Sequence, residues 1–126
     1  MKKIVVVDDE RSILDALDFM LSGEGYHVRT ASHGNELLRL TNDKPDLIIL
    51  DLLISGEDGR QICRMLKTRE DTKDIPVIMI SAHPNAKHYI KECGADDFLS
   101  KPFDMNEFLK VISIYCSRSS AQLTVI

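Results

Sequence analysis

Apolar runs recur along the chain, and each stops at a polar residue. Ile4-Val5-Val6-Val7 stops at Asp8-Asp9-Glu10, Leu47-Ile48-Ile49-Leu50 at Asp51, and Val77-Ile78-Met79-Ile80 at Ser81. The shorter Phe98-Leu99 reaches Lys101 one residue further on. Runs this short, rich in β-branched residues and separated by helix-like stretches, predict strands buried on both faces of a parallel sheet. Tyr26 to Ala31 alternates instead, which predicts a half-buried strand near an edge.

The stretches between these runs follow helical spacing. Ile13, Leu14, Leu17, Met20 and Leu21 form one stripe, and Gly23 and Gly25 close that helix. Glu36 to Leu40 predicts a short helix, stopped by Pro45 before the third strand. Asp58 with Gln61 resembles a capping box and opens a helix that turns Ile62, Met65 and Leu66 inward. A fourth helix runs from Asn85 to Cys93 and stops at Gly94. It carries a thin apolar stripe, Ala86, Tyr89, Ile90 and Cys93, so it is weakly anchored and suited to movement. Asp104 with Glu107 caps a last helix lined by Phe108, Leu109, Val111, Ile112 and Tyr115.

Five strand–helix units in series predict one α/β domain: a doubly wound five-stranded parallel sheet with five helices, in the flavodoxin-like order 2-1-3-4-5. That order sets the first and third strands side by side and brings Asp8, Asp9 and Asp51 together. Such sheets bind ligands at the carboxyl ends of their strands. Carboxylates, a hydroxyl and an ammonium group therefore converge on one edge. Residues 1–116 make up this domain, and 117–126 read as a C-terminal tail or the start of a linker.

Composition narrows the classes. The 126 residues suit a single core. A net charge of −4 without a basic stripe argues against direct nucleic-acid binding. No apolar stretch nears the ~20 residues of a membrane span, and the first apolar run is too short for a signal peptide. Cys63, Cys93 and Cys116 are too scattered for a disulfide framework or a zinc site. They read as reduced thiols packed on the helices of a cytoplasmic protein.

Several carboxylates at one strand edge repel one another unless a proton or a divalent cation neutralises them. Oxygen ligands without a nearby histidine or cysteine point to magnesium, calcium or manganese. Magnesium uses one or two carboxylates and a phosphate, which leaves one carboxylate for another role. A carboxylate beside magnesium is a nucleophile toward phosphorus. Lys101 and Ser81 then supply a charge and a hydrogen-bond donor for the phosphoryl oxygens. Each residue alone also has a plainer reading. Paired acids complement a helix dipole, a serine caps a turn, and a lysine before proline is solvated.

Val-Val-Asp8-Asp9-Glu10, Asp51-Leu52 with Gly56 and Asp58-Gly59, Ser81-Ala82, Gly94-Ala95-Asp96-Asp97-Phe98 and Lys101-Pro102-Phe103 stand together in one chain. With these motifs the sequence resembles bacterial two-component response-regulator receiver domains, over essentially its whole length. The resemblance implies a CheY-like fold and a phosphorelay role, with Asp51 accepting phosphate from a histidine kinase or a histidine phosphotransfer protein. It implies a magnesium site, open to manganese as a substitute, made of Asp8, Asp9, Asp51 and the Leu53 backbone carbonyl. Ser81 would bond the phosphoryl group, Lys101 would pair with it, and Phe98 would be the switch ring that follows Ser81. The Lys101-Pro102 bond would be cis. The output surface would be the face of the fourth helix, fifth strand and fifth helix. It would serve a downstream protein, a fused output domain or a homodimer, with no membrane involved.

Departures from the family pattern are few. Ser55 stands where proline is common, which implies a less rigid loop. Ser81 replaces the commoner threonine. Leu53 and His83 flank the acceptor at variable positions. Leu53 is expected to exclude hydrolytic water in part. His83 either bonds near the acceptor or is a solvated loop residue. A magnesium phosphatase of the haloacid-dehalogenase type would need Asp-x-Asp after the first strand, and a flavodoxin would need a hydroxyl- and glycine-rich loop there. The remaining alternative is a receiver-like interaction module without phosphoryl turnover. The sequence leaves open whether the domain stands alone or belongs to a larger regulator or hybrid kinase.

Overall fold

A computed structural model describes residues 2–39, 44–54, 56–83 and 85–124. The first strand, β1 (Lys3–Val7), leads into α1 (Arg11–Gly23), then β2 (His27–Ala31) and a 3-10 helix over Gly34–Arg39. Next come β3 (Leu47–Asp51), a short ribbon of β4 (Leu53–Ile54) and β5 (Glu57–Asp58), and α2 (Gly59–Thr68). The chain ends with β6 (Val77–Ser81), α3 (Ala86–Cys93), β7 (Asp97–Ser100) and α4 (Met105–Thr124). No helix among the described residues is long and apolar enough to cross a membrane.

The main sheet has five parallel strands in the order β2-β1-β3-β6-β7. Because strand side chains alternate, each inner strand supplies two cores. Val5, Val7, Ile48, Leu50, Val77 and Met79 face α2 and α3. Ile4, Val6, Leu47, Ile49, Ile78 and Ile80 face α1 and α4. The edge strand β2 is mostly exposed, in keeping with its alternating sequence.

The expected 2-1-3-4-5 order with five helices differs from this fold in three details. An antiparallel ribbon, Leu53 opposite Asp58 and Ile54 opposite Glu57, intervenes after β3 and shifts the strand numbering. Its turn includes Gly56 at φ +71°, a left-handed conformation that glycine adopts without cost. The expected second helix is a 3-10 helix, so the described residues hold four α-helices. Six residues close too few α-type hydrogen bonds to repay helix nucleation, and the tighter 3-10 geometry serves such short pieces. In α2 the inward residues are Ile62, Cys63 and Leu66, whereas Met65 is exposed. The inner stripe of α2 is therefore rotated by part of a turn from the expected one.

Caps form largely where the sequence places them. The Asp58 carboxylate accepts from Arg60 N at 2.9 Å, and its bond with the Arg60 side chain holds its pKa below the usual carboxylate value. Gly94 ends α3 at φ +84°. Glu107 N donates to Asp104 Oδ1 at 3.0 Å at the start of α4. The helix then continues to Thr124, through part of the segment read as a tail. Leu40 and Ser55, and the expectation of a looser loop at Ser55, lie outside the described residues. The side chains of Leu53, Tyr89 and Ile90 lie outside them too.

Candidate functional site

Strand ladders extend one step beyond each strand and set the site residues at one edge. Asp8 N donates to Ala31 O at 3.1 Å, Leu52 N to Ile80 O at 2.9 Å, and Lys101 N to Ser81 O at 2.8 Å. Asp8, Asp51, Ser81 and Lys101 thus share the carboxyl edge of the sheet. Asp8, Asp9 and Asp51 each offer a carboxylate oxygen, and the three oxygens lie within 4.8 Å of one another. Asp8 and Asp51 are buried, whereas Asp9 is exposed.

Lys101 closes the cluster. Its Nζ donates to Asp8 Oδ2 at 2.9 Å and to Asp51 Oδ2 at 3.3 Å, with the lysine side chain 14% exposed. Burial alone would lower the lysine pKa. The Asp8 hydrogen bond and the charges of Asp51 and Asp8 outweigh burial and raise it. The other Asp8 oxygen, Oδ1, accepts from Glu10 N at 3.0 Å. Asp8 is therefore tied both to the start of α1 and to Lys101. Three carboxylates against one ammonium leave a formal charge of −2, which one divalent cation balances.

Ser81 is buried, and its Oγ accepts from His83 N at 3.0 Å. That bond uses a lone pair and leaves the hydroxyl hydrogen to donate. His83 is exposed, and its Nδ1 accepts from Asn85 N at 3.1 Å, so the imidazole closes the turn into α3. Phe98 is half-buried on β7 and packs on the core cluster that contains Met79 and Cys93. The Lys101-Pro102 peptide is cis.

Gly59 contributes in a way the sequence reading missed. A Cβ there would lie 2.3 Å from Asp51 O and 2.7 Å from Leu52 O. Both atoms are backbone, so neither can yield. Gly59 N in turn donates to Leu52 O at 2.7 Å. The glycine after Asp58 was the available signal, yet only the three-dimensional approach of α2 to the end of β3 gives it meaning. Gly59→Ala is expected to cost about 2 kcal/mol or more. Urea unfolding monitored by circular dichroism checks this, and an unchanged midpoint counts against the cradle.

Comparisons with known proteins agree with this geometry. The family model described as Response regulator receiver domain matches residues 4–113, and the chain belongs to that family. It is a receiver domain of two-component signalling. Among solved structures it is similar to the signal receiver domain of a signal transduction histidine kinase from Syntrophus aciditrophicus. The identity is 33%, with 93% of this chain and 91% of that chain covered and a TM-score of 0.85. It is also similar to the Vibrio cholerae chemotaxis protein CheY4, at 30% identity, 91% and 98% coverage and a TM-score of 0.83. NtrX from Brucella abortus is 33% identical over 98% of this chain but 29% of that chain, with a TM-score of 0.84.

Proposed function

We propose that this receiver domain is phosphorylated on Asp51 in a magnesium-dependent reaction, with a histidine kinase or histidine phosphotransfer protein as donor. One observation carries the reading: Lys101 bridges Asp8 and Asp51 inside a three-carboxylate cluster that still bears excess negative charge. Asp8, Asp9, Asp51 and the Leu53 carbonyl would hold magnesium, and manganese can take its place. The bound ion supplies charge neutralisation of the phosphoryl oxygens.

The residues of the chain do the rest. An Asp51 oxygen forms the new bond to phosphorus as the donor N–P bond breaks and the imidazole nitrogen keeps the electron pair. Lys101 passes from the Asp51 carboxylate to a phosphoryl oxygen, a charge-assisted bond. Ser81 donates its hydroxyl hydrogen to another. Drawing Ser81 inward frees space for the Phe98 ring, and α3 follows. Ser81 and Phe98 are thus the switch residues, and phosphorylation shifts a two-state population.

The output face joins α3, β7 and α4, the fourth helix, fifth strand and fifth helix of the sequence reading. A groove of about 470 Å³ lies there, lined in part by Lys87, Asp97, Phe98 and Glu107. A downstream protein, a second copy of the chain or a fused output domain would read this face. The match of NtrX over only 29% of its chain supports the fused arrangement as one option. Residues 1–116 form the receiver unit of this proposal, and 117–126 are a C-terminal tail or the start of a linker. The chain works in the cytoplasm, in keeping with three free thiols.

Binding of a cation to the folded state alone raises stability. Millimolar magnesium is therefore expected to raise the melting temperature by several degrees, and Asp9→Asn to shrink that rise. An unchanged melting temperature would argue against the metal site.

A further inference from the structure

Glu57 belongs to the β4–β5 ribbon, yet its side chain reaches back to the opposite side of the site. Its Oε1 accepts from Gly34 N at 2.9 Å and lies 4.0 Å from His33 Nδ1. Both partners stand just after β2. They follow closely on Ala31, whose carbonyl receives the Asp8 N–H at 3.1 Å. The Gly34 backbone is pressed against its neighbours. A Cβ there would overlap Ile62 Cδ1 and lie 3.6 Å from Ile54 Cδ1, a ribbon residue. The Glu57 side chain is 27% exposed, so its bond to Gly34 is partly shielded from water.

The ribbon starts directly after Asp51 and Leu52. Leu52 holds its base, with its N–H on Ile80 O at 2.9 Å and its O accepting from Gly59 N at 2.7 Å. Leu53 pairs with Asp58, and Ile54 with Glu57. The Asp58 carboxylate is engaged at the start of α2, where it accepts from Arg60 N. The Glu57 carboxylate instead ties the ribbon to the β2 side. Leu53 thus lies between two anchors, Leu52 toward β6 and Glu57 toward β2.

We propose that Glu57 is a positioning residue for the metal site. By holding Gly34 N it fixes the ribbon, and with it the Leu53 carbonyl, relative to the acids that follow β1. This inference rests on the magnesium reading above. A backbone carbonyl has no rotamers with which to seek an ion, so the chain around it sets its place. Magnesium demands near-ideal octahedral geometry and tolerates a displaced oxygen poorly. Groups that orient ligands without touching the ion typically change affinity by about 10- to 100-fold when lost.

The test titrates the full chain with manganese chloride and reads the free ion by electron paramagnetic resonance. Circular dichroism confirms that each variant is folded. Glu57→Met keeps the length of the side chain and removes the acceptor, and its Kd is expected to rise about tenfold. Glu57→Gln keeps an oxygen for the Gly34 N–H, and its Kd should stay near the wild-type value. Glu57→Asp keeps the charge but shortens the reach, so its Kd rises as well and carries the test if Glu57→Met does not fold. A wild-type Kd in the folded Met or Asp variant would overturn the positioning role. So would a Glu57→Gln chain as weak as Glu57→Met, because the charge would then act rather than the hydrogen bond. Asp9→Asn separates the two readings. A wild-type chain that binds no manganese, or binds it equally well after Asp9→Asn, sinks the metal site itself and the role of Glu57 with it.

Discussion

Asp51→Asn is expected to fold normally and to take up no phosphoryl label from acetyl phosphate. The wild-type chain gains about 80 Da, one phosphoryl group, and intact-mass analysis reads the difference. The reason lies in the site. Asp51 ends β3 in the middle of the sheet edge, and its carboxylate is partly accessible at 9% side-chain exposure. Asp8 is fully buried, with one oxygen on Glu10 N and the other on Lys101. Asp9 is exposed and is one of the acids proposed to hold the metal. Neither can take over as nucleophile. Stability should hold, because Asn removes one negative charge from a cluster with excess charge while Lys101 keeps its shorter bond to Asp8. Labelling of the variant at the wild-type level would show that another residue accepts the phosphate.

Lys101→Met is expected to lose about 3 kcal/mol of stability, because removing one partner of a buried pair leaves the other charge uncompensated. Methionine keeps most of the apolar stem, so the loss reports on the ammonium. Asp8 is the residue left exposed to this penalty: its side chain has no solvent access. Lys101→Arg retains the charge and should lose less. The pH dependence follows from the raised lysine pKa. The contribution is complete below the unfolded value of 10.5 and is lost only as pH rises through the higher folded value. The deficit of Lys101→Met should therefore be constant from pH 7 to pH 9 and close at higher pH. Urea unfolding at several pH values checks this. A deficit near zero at neutral pH would mean that the bridge carries no stability.

The sheet edge was legible in the sequence because buried parallel strands leave continuous apolar runs, and the residue ending each run is easy to see. Asp51, Ser81 and Lys101 were found that way. The resting partner of Lys101 was not. Its shorter bond is to Asp8, 93 positions away in the chain, and no periodicity encodes that distance. Gly59 was legible only as part of a motif, since its need for a missing Cβ arises from two carbonyls on another element. The β4–β5 ribbon is two residues on each side, too short for any alternation to show. Met65 was misplaced because α2 turns a fraction of a turn away from the expected stripe, putting Cys63 on its inner face in place of Met65.

The central claim is that this acidic strand edge is a magnesium-dependent phosphoryl acceptor. Incubating the wild-type chain with acetyl phosphate, with magnesium or with a chelator, and locating the adduct by peptide mass spectrometry tests it most directly. The account predicts one adduct of about 80 Da on the peptide containing Asp51, present with magnesium and absent with chelator. No adduct under either condition, or one elsewhere in the chain, would contradict it.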